Sequence, residues 1–380
     1  MSRKKVALLC AYLPQYRLPF VAALYEKCRQ SGIDLEVIYG NPTENNELRA
    51  DRSDFAPGHF APSRFITCGP FTAIWQPVLP LLSDAELVIS DFQSKLILNY
   101  ILILQQSIGR KKIAFFGHVR NHQAKRNKTI AHLLKRSMAC LPYWWFAYTP
   151  GEAEYLVRLG FPETRITVFY NAVDTTRLRQ WRSEISKAEI GELRRQLNLT
   201  SDNVCIYIGS MYPDKRMAFL IEACRRIRGL IPDFSMLFIG TGPDAAIVKR
   251  FCEEESWASY LGPLFEREKV KVCMLARLLL MPGAVGLAIL DAFAMRMPIV
   301  TTEFRFHGPE IDYLEDGSNG IIVAPATDID RYASAVAELL INREKLANIA
   351  ESCEYSASRL TIENMADHCL DGILRALMVG

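Results

Sequence analysis

No aspartate or glutamate occurs between Phe92 and Gly151, a window that carries ten Lys or Arg, although the 380-residue chain as a whole is nearly balanced at a formal charge of +3. Long apolar runs are also missing. The greasiest later stretch, Leu96 to Leu104, has nine residues, well short of the ~20 that a helix needs to cross a bilayer. The ten cysteines are scattered from Cys10 to Cys369 without paired short spacings. That pattern argues against a disulfide framework or a zinc site and fits reduced core thiols in a cytoplasmic protein. The N-terminus is basic and then apolar, but Pro14 and Arg17 end the run early and no small-residue cleavage site follows, so it reads as a first strand rather than a signal peptide. No low-complexity tract is present, and half the residues are hydrophobic, which sets disorder aside.

The length suits two domains of roughly 150 to 200 residues, hence a cleft. The basic window contains GRKK (109–112), AKRNK (124–128), Lys135 and Arg136, and leads to Tyr143, Trp144 and Trp145. Two readings fit it. Cations beside tryptophans suit an anionic membrane surface, and they equally suit a solvated basic face whose tryptophans lie in the core. Nucleic acid is a weaker third reading, because no recognised binding module accompanies the charge.

Aliphatic and β-branched runs alternate with helical stretches, which predicts parallel sheets with crossover helices. Strands are expected at 5–11, 34–40, 86–90, 112–117 and 165–171, and, in a second series, at 203–210, 234–240, 258–262, 276–282, 297–302 and 320–325. Helices are expected at 18–29, 93–106 and 130–139, and a surface loop at 41–65. The boundaries that follow are an N-terminal domain over 1–180, a polar linker region over 181–202, a second domain over 203–360, and a C-terminal helix over 361–380 packing back toward the first. In doubly wound sheets ligands sit at the carboxyl ends of the strands, so residues just after strands become the candidates.

The most informative stretch is MPGAVGLAILDAFAMRMPIVTT (281–302). A strand ends at Pro282, a glycine-bearing turn through Gly283 and Val285 follows, and a helix opens near Gly286 and Leu287. Free N–H groups at such a terminus suit a diphosphate, and Asp291 could accept hydrogen bonds from two ribose hydroxyls. A strand-to-helix turn using glycine only for geometry is the plainer alternative.

This stretch resembles the family 4 glycosyltransferases of the GT-B fold, whose pattern runs E-G-F-G-L-x-x-x-E-A-x-A-x-G-x-P-V-V-x-T. The resemblance extends through nearly the whole chain and is strongest over 203–323. It implies an α/β protein of two Rossmann-like doubly wound domains facing across a cleft. Asp291 falls on the family's ribose-holding Glu, and Gly283 falls on the Glu that contacts the transferred sugar. YIGSMYPDKRMAFLIEA (207–223) resembles the G-R-x-x-x-x-K segment that neutralises the donor diphosphate: Lys215 matches, Ser210 replaces the Arg, and Arg216 is a candidate substitute. Gly240 and Gly242 in FIGTGPD, and Gly262 and Leu264 in YLGPLFERE, occupy places where the family shapes the nucleotide pocket. Pro14 and Gln15 lie in the donor-facing loop after the first strand. His118 stands where the family presents a histidine toward the transferring sugar, with a structural role as its alternative. Glu310, Asn319, Asn171 and Asp174 read as turn residues. Asp328-Ile329-Asp330 spells the metal-binding Asp-x-Asp of a different fold and reads here as a helix start.

The resemblance implies a retaining transfer from a nucleotide-sugar donor, with His118, Lys215 and Asp291 as the catalytic group and neither metal nor cofactor. The acceptor is expected to be a lipid-linked oligosaccharide in cell-surface polysaccharide assembly, met at the anionic inner face of the membrane. An inactive sugar- or partner-binding scaffold and a nucleotide-sugar epimerase are the alternatives.

Overall fold

The computed structural model describes residues 3–42, 53–68, 71–120 and 130–378. The basic run at 124–128 and residues 43–52 of the loop expected at 41–65 lie outside them, and the rest of that loop carries the short strand His59–Phe60 and the start of the strand Arg64–Cys68. The chain divides into two compact units: Met1–Val173 with Ile362–Gly380, and Asp174–Thr361.

The first unit holds β1 (Lys4–Cys10), β2 (Ile33–Tyr39), β3 (His59–Phe60), β4 (Arg64–Cys68), β5 (Phe71–Trp75), β6 (Leu87–Asp91), β7 (Lys112–Gly117), β8 (Trp144–Ala147) and β9 (Ile166–Val168). Its main sheet runs β3-β2-β1-β6-β7-β8-β9, every pair parallel. β4 and β5 form a separate antiparallel hairpin. The strand order reverses between β1 and β6, and that is the point where a doubly wound sheet opens a crevice at its carboxyl edge. Both faces are covered, so the strands are apolar on both sides: Val6, Leu8 and Cys10 enter one core, Ala7 and Leu9 the other.

The tryptophans settle which face the basic window presents. Trp144 and Trp145 point to opposite sides of β8 and are fully buried. Their indole N–H groups donate to Thr167 Oγ1 at 2.9 Å and to the Ala139 carbonyl at 2.7 Å. They are core residues and anchor nothing outside. The C-terminal helix Ile362–Met378 packs on the helix Leu18–Gln30 of this unit. The same helix also lies on β8 and β9, where Gly372 permits the approach, since a Cβ there would lie 2.5 Å from Thr167 Oγ1 and 2.6 Å from the Phe146 ring.

The second unit repeats the architecture with β10 (Val204–Ile208), β11 (Ser235–Ile239), β12 (Ala258–Gly262), β13 (Leu278–Leu280), β14 (Ile299–Thr302) and β15 (Gly320–Val323). The order is β12-β11-β10-β13-β14-β15, again all parallel, with its reversal at β10/β13. The stretch expected as a linker is instead part of this unit. Helix Thr175–Glu184 starts at an Asp174 cap, helix Lys187–Gln196 starts at a Ser186–Glu189 capping box, and the first of them packs on the helices Glu266–Cys273 and Ala288–Ala294. Asp328 caps the helix Ile329–Ile341 by accepting from the Arg331 N–H at 2.8 Å, the helix-start role its position suggested.

Candidate functional site

In the first unit, the carboxyl ends of β1, β6, β7 and β8 surround a cavity of about 560 Å³ lined by Pro14, Arg17, Asp91, His118, Lys135 and Tyr148 among others. Arg17 is buried and donates to Asn171 Oδ1 and to the Tyr148 hydroxyl, both at 3.0 Å. Asn171 is therefore a partner of a buried cation as well as a turn residue. Asp91 ends β6 and accepts from the Ala11 N–H at 2.8 Å. Burial lifts its carboxyl to about 6, against the pull of that hydrogen bond and of Arg17. His118 is exposed just past β7, its ring edge-on to Tyr148 at 5.1 Å, and its carbonyl accepts from Lys135 Nζ at 2.8 Å. Pro14 joins His118 in this cavity, whereas Gln15 lies exposed in the short turn Gln15–Arg17 outside the lining. Asp91, Arg17 and Lys135 were not read from the sequence as site residues, although Lys135 belongs to the basic window and Asp91 satisfies the strand-end rule.

In the second unit, the loop after β10 and the loop after β13 interlock. Gly283 is buried with no room for a side chain: a Cβ would stand 2.2 Å from the Asp214 carbonyl oxygen and 2.6 Å from the Lys215 carbonyl carbon. The Ala284 N–H donates to that same Asp214 oxygen at 2.8 Å. Lys215 is buried, reaches Met281 Sδ at 3.8 Å and donates to the Ala284 carbonyl. Burial pulls its ammonium down to about 8, with Glu310 and Asp214 opposing the fall.

Arg216 also binds the loop after β13. It adopts left-handed backbone at φ 59°, donates to the Pro282 carbonyl at 3.1 Å and Thr302 Oγ1 at 3.2 Å, and lies over the Phe219 ring. Its guanidinium holds the loop and does not replace the missing arginine at Ser210, which is exposed. The glycine pair at 240 and 242 is also consumed by packing. Both have positive φ, and a Cβ would lie 1.9 Å from the Gly209 oxygen and 2.4 Å from the Met211 oxygen respectively. Gly262 is open, and Leu264 is half-buried behind it.

Val285 departs from its expected role because its N–H donates to His307 Nδ1 at 3.0 Å, while His307 Nε2 faces the Thr302 carbonyl at 2.9 Å. This pairing fixes a neutral ring with the proton on Nε2. Among the described residues, the N–H groups of Gly286, Leu287 and Ala288 meet no acceptor within the protein. Asp291, a turn further on, does not face this loop unpaired: Lys269 Nζ meets its Oδ1 at 2.9 Å. Burial works against the Lys269 charge, and Asp291 more than offsets it, so the lysine stays above its ordinary value. Nothing in the sequence around Lys269 announced this pairing. Lys269→Met should leave Asp291 half-buried without its cation and cost about 1–3 kcal/mol, measurable as a lowered urea midpoint. An unchanged midpoint would mean that the pair contributes nothing to the fold.

No group of three or more His, Cys, Asp or Glu placed to hold a metal occurs among the described residues, and no described helix is long and apolar enough to cross a membrane.

Residues 202–342 match the family model described as glycosyl transferases group 1. The chain is similar to alpha-monoglucosyldiacylglycerol synthase of Acholeplasma laidlawii, 21% identical over 50% of this chain and 48% of that one. It is also similar to the GDP-mannose-dependent alpha-(1-6)-phosphatidylinositol monomannoside mannosyltransferase of Mycobacterium tuberculosis, 25% identical over 46% of each. The chain thus spans about half the length of the curated relatives it matches. Among solved structures, Anabaena HepE in complex with UDP superposes with a TM-score of 0.72 at 15% identity over 97% of this chain and 99% of the other. Sucrose-phosphate synthase of Thermosynechococcus elongatus gives 0.68 at 15% identity over 99% of each. At that identity the likeness shows the fold, which is GT-B.

Proposed function

We propose, from a GT-B chain whose residues 202–342 place it among the family 4-like glycosyltransferases, that the protein moves a sugar from a nucleotide diphosphate sugar to a lipid-linked glycan acceptor with retention at the anomeric carbon. The observation that carries the donor half is the buried Lys215 ammonium beside the loop whose Gly286, Leu287 and Ala288 N–H groups have no internal acceptor. A cation and N–H groups without an internal acceptor, fixed before the ligand arrives, are what a departing diphosphate needs as its charge develops. Asp291 keeps Oδ2 for a ribose hydroxyl while Lys269 holds Oδ1, and His118 offers its ring to a sugar hydroxyl. Lys215, rather than a divalent ion, supplies the neutralising charge.

HepE, solved with UDP and with UDP-glucose, supports a nucleotide-sugar donor. The diacylglycerol and phosphatidylinositol in the names of the two relatives support a lipid-borne acceptor, met on the cytoplasmic face of the membrane during surface polysaccharide assembly. The test is consumption of nucleotide sugar, with and without EDTA, in the presence of a polyisoprenyl-diphosphate glycan. Acceptor-dependent, EDTA-insensitive turnover with α product is expected. Donor conversion without acceptor would point to an epimerase. Nucleotide binding without any turnover would favour the scaffold reading, for which the side-chain-free Gly283 and exposed Ser210 are the specific observations.

A further inference from the structure

We propose that the outer face of the helix Ile97–Ser107, with the loop at Leu141, is the surface by which the first unit docks on an anionic lipid bilayer. The proposal deepens the membrane contact in the function above and rests on it. Tyr100, Leu104 and Ile108 follow one another at four-residue intervals and are 46%, 64% and 59% exposed. That spacing puts them on one stripe of the helix and its C-terminal end. Leu141 extends the stripe, being 49% exposed and held beside the helix by Gln106 Nε2, which donates to its carbonyl at 2.7 Å. Residues of this size have no packing reason to face water in a row, and the opposite side of the same helix, Leu98 and Leu102, is fully committed to the core.

The charge around the stripe selects the partner. Exposed Lys95 stands at its N-terminal end, Arg110 at its C-terminal end, and Arg136 is exposed in the last turn of the neighbouring helix Ile130–Ala139. The window 92–151 has no carboxylate. Two acids approach this basic end: Asp84, which sits by Lys5 and Lys111, and exposed Glu86, whose carbonyl accepts from the Lys112 N–H at 3.3 Å; Lys111 donates to the Ser83 carbonyl at 3.0 Å. An apolar stripe rimmed by cations, without an acid of its own, is complementary to acyl chains beneath anionic headgroups. A soluble protein partner would be expected to meet a rim of both signs. The buried tryptophans play no part.

The test is flotation of the full chain with phosphatidylcholine vesicles and with equal-part phosphatidylcholine–phosphatidylglycerol vesicles, comparing wild type with Leu104→Glu/Ile108→Glu and with Arg110→Ser/Arg136→Ser. Wild type should float with the anionic vesicles only, less at high salt. Each double variant should lose binding by about tenfold or more while keeping its thermal midpoint and its rate of nucleotide-sugar turnover without vesicles. Equal flotation of wild type and variants would overturn the proposal, as would a wild-type dimer that Leu104→Glu/Ile108→Glu splits without any vesicle binding. Flotation without nucleotide-sugar turnover would leave the docking face standing and reject the transferase reading, so the two fail separately.

Discussion

Gly283→Ala should destabilise the protein by about 3 kcal/mol, the upper end of what overpacking usually costs, and Gly283→Glu should fail to fold. The atoms a new Cβ would strike are main-chain atoms, the Asp214 oxygen at 2.2 Å and the Lys215 carbonyl carbon at 2.6 Å, and neither can swing aside as a side-chain tip could. The Asp214 oxygen is also the acceptor for Ala284, so moving it breaks the bond that joins the two loops. Restoring the family's carboxylate at this position should therefore abolish function rather than improve it. Urea unfolding of Gly283→Ala checks the first statement. A Gly283→Glu protein that folds like wild type and turns over faster would show that the two loops are not locked as described.

Lys215→Met should weaken nucleotide binding on the order of a hundredfold, because a charge-assisted bond contributes about 1.5–3 kcal/mol, while leaving stability almost unchanged. Keeping the ammonium charged in its buried setting costs about 3 kcal/mol, from the fall of its pKa from 10.5 to about 8. Removing it strands the Ala284 carbonyl, at about 1–3 kcal/mol. The two nearly cancel. The pH dependence follows from the same shift. Between pH 8 and 10.5 the unfolded chain holds a proton on Lys215 that the folded chain has lost, so this residue's share of stability rises with pH across that range. Nucleotide affinity moves the opposite way, falling above pH 8 as the folded lysine loses its charge. In Lys215→Met both slopes should flatten.

How far the fold could be read ahead depended on the length and company of each element. β7 and β12 lie at 112–117 and 258–262 as their β-branched and aromatic runs predicted, and the helix Ile130–Ala139 matches its predicted span. β8 escaped notice because WWFA is four residues with no alternation, and a run buried on both faces carries no period to detect. The helix expected from Gln93 begins only at Ile97, because 93–96 turns at the strand end before the helix can start.

In the second unit, the strand-loop-helix register placed Lys215 and Gly283 on neighbouring loops and Asp291 in the helix that follows the second. It could not show what each side chain would meet. His307 occupies the Val285 N–H, Arg216 grips Pro282, and Lys269 claims Asp291 from 22 residues away. Those partners arise from backbone direction and depth of burial, which one-dimensional spacing does not encode. The same limit explains why Gly240 and Gly242 read as glycines that shape the nucleotide pocket, when their missing side chains serve the passage of Gly209 and Met211.

If Lys215 and the loop after β13 hold the donor's diphosphate, calorimetric titration of UDP, GDP and ADP, without added metal, into wild type and Lys215→Met will show it. One nucleotide should bind wild type and lose most of its affinity in the variant, with wild-type affinity falling as pH rises past 8. Equal affinity in the two proteins, or binding that occurs only when a divalent ion is supplied, would contradict this assignment.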